Sequence, residues 1–174
     1  LEDPAKSPSD AVWMLTRSPK DAPDSSVEVN LGFEKGTLIS VDGESLGAAE
    51  MVQKLNDLGG VHGVGRVDLI ENRFVGMKSR GCYETPGGTI ILAAHREIES
   101  LTLDRATLHY KQIIALDYAE LVYNGEWFTP LREALDGFIN QTQKTVSGEV
   151  LLRLYKGHVD VISRHSVHSL YSKD

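Results

Sequence analysis

Between Asp68 and Gly88 the chain reads DLIENRFVGMKSRGCYETPGG. Asp68, Glu71, Arg73, Lys78 and Arg80 are interleaved there with Leu69, Ile70, Phe74, Val75 and Met77, more charge than a connecting loop requires. Glu71 offers a carboxylate to an ammonium or guanidino-like group. Tyr83 can add a hydroxyl to the same pocket. Lys78 and Arg80 can face a carboxylate or phosphate, Arg80 through its bidentate fork. These residue types admit two readings, a polar small-molecule site and a set of surface ion pairs, and their spacing does not separate them.

Other chemistries lack their residues. No G-x-x-x-x-G-K-[ST] loop occurs, so no P-loop nucleotide site is expected. Gly60-Val61-His62-Gly63-Val64-Gly65 has the wrong spacing and precedes a strand, which makes it a tight connection. Gly76 to Gly81 misses the nucleophile elbow G-x-S-x-G by one residue, leaving Ser79 as a structural or ligand-binding hydroxyl. His95 and Glu99 stand four apart, and His165 and His168 three apart, but neither pair has a third ligand nearby in sequence. The His95–Glu99 pair, and the run Arg96, Glu97, Glu99, Asp104 and Arg105, are expected on a solvated helical face. Cys82, the single cysteine, is expected as a small, partly buried apolar side chain.

The elements that must position the stretch follow from periodicity. Residues 1–24 hold Pro4, Pro8, Pro19 and Pro23 and read as an extended arm pinned by Trp13. Val27, Val29, Leu31 and Phe33 alternate, Glu34-Lys35-Gly36 turns, and Leu38, Ile39 and Val41 return as a hairpin. Helical spacing of Met51, Leu55 and Leu58 predicts a helix from about Leu46 to Leu58, stopped by Gly59-Gly60. Val64 to Ile70 is expected as a strand with Glu71 at its carboxyl end. Thr85-Pro86 and Thr129-Pro130 each read as an N-cap with proline in the first turn, starting two helices. A further helix is expected from about Thr102 to Tyr123. Val150, Leu152 and Leu154, a Lys156-Gly157 turn, then Val159 and Val161 form the last hairpin. The expected class is α+β, with antiparallel hairpins at both ends and a central group of helices.

Composition sets outer limits. The 174 residues suffice for one domain, and the net charge of −7 argues against capture of nucleic acid or an anionic membrane. One cysteine excludes an internal disulfide and favours a reducing, cytoplasmic setting. The opening Leu-Glu-Asp-Pro has no initiator Met, so a longer or processed parent protein is expected.

"GRVDLIENRFVGMKSRGCYETPGGTI" closely resembles the synthetase-domain signature of the argininosuccinate synthase family. The segments "LEDP", "LNDLGGVHGVGR", "AAHREIESLTLDR", "YAELVYNGEWFTP" and "LRLYKGHVDVISR" extend the likeness over nearly the whole chain. The resemblance implies a ligase that joins citrulline to aspartate through a citrulline adenylate, releasing pyrophosphate and AMP. It implies citrulline contacts at Glu71 and Tyr83, which match the Glu of I-E-N-R and the Tyr of Y-E-T-P-G-G. It also implies a homotetramer, and ATP with Mg as co-substrate held by a separate N-terminal ATP-binding domain. No S-G-G-x-D pyrophosphate loop occurs in the 174 residues, so no bound cofactor or metal is expected in this chain. Departures from the family pattern are Cys82, where an aliphatic residue is expected, Asp117, where a basic residue is common, and Leu131, where Glu is common. The competing reading is a stand-alone module retained for oligomerisation or amino-acid sensing.

Overall fold

A computed structural model describes residues 3–172. Four strands form one antiparallel sheet: β1 (Val27–Glu34), β2 (Thr37–Val41), β5 (Gly148–Tyr155) and β6 (His158–His165), in the order β2-β1-β5-β6. The two end hairpins therefore join, β1 pairing with β5 in the register Val29↔Leu152 and Leu31↔Val150. Alternation puts Val29, Leu31 and Phe33 of β1, with Val150, Leu152 and Leu154 of β5, on one buried face. Against that face lie α1 (Ala48–Val61), through Met51 and Leu55, and α2 (Pro86–Thr102), through Ile90, Ala94 and Ile98. The fold is α+β, as expected.

Two helices continue the chain on the outside, α3 (Arg105–Tyr123) and α4 (Pro130–Thr142). Only Ile114 and Leu121 of α3 are buried, and no residue of α4 is. Tyr123, Trp127 and Phe128, a cluster that suits either an interface or the core, stay outside it, with Phe128 89% exposed. No helix among the described residues is long and apolar enough to cross a membrane.

One expectation needs correction. Helix α1 does not stop at Gly59-Gly60 but runs through both glycines to Val61. They serve close approach: a Cβ on Gly59 would come within 2.9 Å of Pro86 and Ile90, and Gly60 faces the Leu15 carbonyl. The stretch after Glu71, to which periodicity assigns no element, is ordered as well. It turns at Arg73–Met77 and returns as β4 (Lys78–Glu84) against β3 (Arg66–Asn72), forming a separate two-stranded ribbon. The sequence K-S-R-G-C-Y-E carries no apolar alternation because neither face of this ribbon enters the core.

The arm lies along the ribbon, broken by two short 3-10 turns at Asp10–Val12 and Pro19–Asp21. Its grip is polar. The Glu84 carboxylate accepts from the backbone N–H groups of Met14 (2.6 Å), Leu15 (3.0 Å) and Thr16 (2.8 Å) and from the Thr16 hydroxyl (2.6 Å). Arg66 donates to the Thr16 hydroxyl and carbonyl, and its guanidinium stacks 4.9 Å from the centre of the Trp13 ring. Trp13 thus pins the arm through a cation on the ribbon.

Burial raises the pKa of Glu84, but the Thr16 hydroxyl and the three amides outweigh it and hold the carboxyl below its ordinary value. A carboxyl depressed by folding stabilises the protein above its unfolded pKa of about 4.3, and that stability is lost as pH falls through the folded value. Glu84→Gln should cost about 1.5–3 kcal/mol, the range for charged hydrogen bonds, in chemical unfolding at pH 7. The difference from the parent should shrink in acid, and amide exchange at Met14 to Thr16 should accelerate. An unchanged exchange rate there would show that the arm is held by other contacts.

Candidate functional site

In an antiparallel ribbon, directly opposed residues share a face. The register Arg66↔Glu84, Asp68↔Cys82, Ile70↔Arg80 and Asn72↔Lys78 alternates with Val67↔Tyr83, Leu69↔Gly81 and Glu71↔Ser79. The charges of the stretch are thereby sorted onto two sides.

The first side holds the arm. Arg80 binds Asp68 bidentately, at 2.8 and 2.7 Å, and donates to the carbonyls of Asp3 and Lys6. The Arg80 hydrogen bond keeps the Asp68 carboxyl below its ordinary range. Lys78 donates to the Asn72 side chain at 2.6 Å. Arg80 and Lys78, which can face a ligand anion by type, thus make internal bonds on the arm side. For them the ion-pair reading describes the molecule. Cys82 is partly buried among them.

The second side carries Glu71, Ser79 and Tyr83. The Tyr83 hydroxyl donates to Glu71 Oε1 at 2.6 Å, and the Ser79 hydroxyl stands 3.5 Å from the same oxygen. Arg73, just past β3, donates its Nε to Ser79 Oγ at 2.8 Å. Glu71 Oε2 has no hydrogen-bond partner among the described residues. The two residues singled out by sequence therefore meet directly, on an open surface where Tyr83 is 45% exposed. Beside them, Tyr123 at the end of α3 donates to the Asn72 carbonyl. An open hollow is lined there by Asn72, Arg73, Phe74, Glu120 and Tyr123. The arrangement can present one carboxylate oxygen and a phenol to a cationic, hydrogen-bonding group.

His95 and Glu99 depart from expectation. Glu99 is only 5% exposed, held by Lys111 at 2.9 Å and by the Gln143 amide at 2.8 Å. His95 contacts the Gln143 carbonyl oxygen at 3.0 Å and packs edge-on to Phe33. This is a buried polar network joining α2, α3 and the C-terminal end of α4, not a solvated pair. The signal was in the spacing, since Glu99 sits one helical step from His95 and two from Ile91, inside the apolar stripe. Among the described residues, no group of three or more His, Cys, Asp or Glu side chains is placed to hold a metal.

The Tyr83–Glu71 bond has a spectroscopic consequence. The hydrogen bond to Glu71, then burial, then the negative charge of Glu71, raise the Tyr83 phenol above its ordinary value near 10. Glu71→Gln should bring the Tyr83 titration back down, read by NMR of ¹³C-labelled tyrosine with Tyr83→Phe as the assignment. A Tyr83 signal that titrates identically in both proteins would contradict the pairing.

Relatives share this chain along its whole length. It is 57% identical over 174 residues to the argininosuccinate synthase of Roseiflexus sp. (strain RS-1) and 56% to that of Koribacter versatilis (strain Ellin345). It is also 57% identical to that of Carboxydothermus hydrogenoformans. Each alignment covers all of this chain and 43% of the relative, so the chain spans less than half the length of those proteins. The family model described as Arginosuccinate synthase C-terminal domain matches residues 1–174. With the ribbon, its Glu–Tyr pair and this end-to-end match in hand, the chain belongs to the argininosuccinate synthase C-terminal domain family.

Proposed function

We propose that this chain forms the citrulline-facing wall of an ATP-dependent carbon–nitrogen ligase of arginine biosynthesis. The observation that carries the reading is the Glu71–Tyr83 pair: one carboxylate oxygen engaged by Tyr83 and approached by Ser79, the other free. Glu71 holds the α-ammonium of citrulline through that free oxygen, a charge-assisted contact. Tyr83 fixes the carboxylate in place and turns its phenol toward the same ligand. Arg73 bonds Ser79 and makes no direct ion pair with Glu71 among the described residues, which leaves the second oxygen for a ligand cation.

ATP, with Mg, supplies the adenylyl group: the ureido oxygen of citrulline attacks the α-phosphorus, pyrophosphate leaves, and the aspartate amine then displaces AMP. The nucleotide and aspartate sites lie in the N-terminal ATP-binding domain of the longer protein. This chain's own part is to bind and orient citrulline. The assembled enzyme is a cytoplasmic homotetramer, and the exposed Tyr123, Trp127 and Phe128 supply apolar surface suited to its contacts. That same surface also favours the second reading, a non-enzymatic oligomerisation or amino-acid-sensing module. A nucleotide domain encoded in frame upstream of Leu1 selects the enzyme.

Incubated with ATP, citrulline and aspartate, the 174-residue chain should release no pyrophosphate above background. Citrulline-dependent release would move the nucleotide site into this chain. In the full-length ligase, Glu71→Gln removes a charged contact of about 1.5–3 kcal/mol and should raise the citrulline KM about ten- to a hundredfold. Tyr83→Phe removes a neutral one and should cost about 0.5–1.5 kcal/mol. Melting temperatures should stay close to the parent's in both variants. A sharp fall in melting temperature with citrulline KM unaltered would make Glu71 a structural partner only.

A further inference from the structure

Gly81 lies in β4 opposite Leu69, on the ribbon face that carries Glu71, Ser79 and Tyr83. Its backbone is not in the positive-φ region, so the strand itself does not call for glycine there. The Tyr83 ring does. A Cβ on Gly81 would stand 2.7 Å from Cζ and 2.8 Å from the hydroxyl oxygen of Tyr83, well inside van der Waals contact.

The reason is the length of the gap. Tyr83 and Glu71 belong to rungs four residues apart, about 13 Å along the ribbon. A phenol and a carboxylate close that distance only by lying along the surface, across the intervening Leu69↔Gly81 rung. On β4 that rung must present no side chain. We propose that Gly81 is a positioning residue of the citrulline site: its missing side chain lets Tyr83 lie along the ribbon and meet Glu71 before substrate arrives. The inference rests on the reading of Glu71 and Tyr83 as substrate-facing.

The geometry separates this role from a structural one. The atoms that a new Cβ would meet are the far end of a half-exposed side chain, with open solvent to swing into. Alanine at position 81 also fits the strand backbone and relieves the entropy cost of glycine there. Gly81→Ala should therefore fold normally while parting Tyr83 from Glu71.

The test uses the full-length ligase with Gly81→Ala, Tyr83→Phe and the double variant. Gly81→Ala should melt within a few degrees of the parent. Its Tyr83 resonance should titrate at lower pH than in the parent, because the Glu71 bond is gone. Its citrulline KM should rise about two- to tenfold, the value of one neutral hydrogen bond, with kcat and the ATP and aspartate constants little changed. In the Tyr83→Phe background the same substitution should add almost nothing, since the hydroxyl it displaces is already absent. A Tyr83 that titrates alike in Gly81→Ala and parent overturns the proposal. So does a phenol that shifts while citrulline KM stays fixed, if Tyr83→Phe raises that KM. Failure of the substrate-facing reading is distinguishable, because it appears as an unchanged citrulline KM in Tyr83→Phe and Glu71→Gln, where Gly81 is intact.

Discussion

A two-stranded ribbon standing apart from the core is marginal in water, and β3–β4 persists because one of its faces is fastened by charge. The carboxylate of Glu84 takes up three consecutive backbone N–H groups of the arm, Arg66 holds the Thr16 carbonyl, and Arg80 spans Asp68 and two arm carbonyls. Each bond satisfies a backbone group that an extended arm would otherwise leave to solvent. The arm thus serves the ribbon as a third strand would, through side chains in place of a ladder. The opposite face is left free to carry Glu71 and Tyr83 at fixed separation.

The ribbon is also tied to the rest of the domain at its base. Thr85 and Pro86 follow β4 directly and open α2, whose Ile90, Ala94 and Ile98 are fully buried against the sheet. The Thr85 amide donates to the Gly65 carbonyl just before β3, so both strands leave the core at one point. The helix-start signal at the end of the charged stretch is explained: the most deeply buried helix begins where the exposed ribbon must be anchored. At the far end, the Tyr123 hydroxyl reaches the Asn72 carbonyl and connects the ribbon to α3. An otherwise exposed hairpin is thereby braced at base, back and tip.

The polar network around Glu99 follows the opposite logic. A buried carboxylate is tolerated there because Lys111, Gln143 and His95 surround it, and removing one partner from such a group typically costs about 3–5 kcal/mol. It fastens α3 to α2 where apolar contacts are few. The second side of α3 leaves Ile113 and Leu116 facing outward.

Much of this was legible in the chain. The alternation of Val27 to Phe33 and Val150 to Leu154, the helical stripes and the two threonine–proline starts follow from local periodicity, which side-chain direction fixes within a few residues. The residue types Glu71 and Tyr83 left a polar site and surface ion pairs equally open, and only the family resemblance implied a ligand for them. Tertiary structure decided what depends on distant partners. Pairing of β1 with β5 closes a gap of more than a hundred residues, which no local pattern encodes. The strand β4 was invisible because its two faces look to solvent and to the arm, so it carries no apolar period. The assignment of Arg80 and Lys78 to structure, and of Glu71 to the open face, came from ribbon register: a shift of one residue would exchange the two sets.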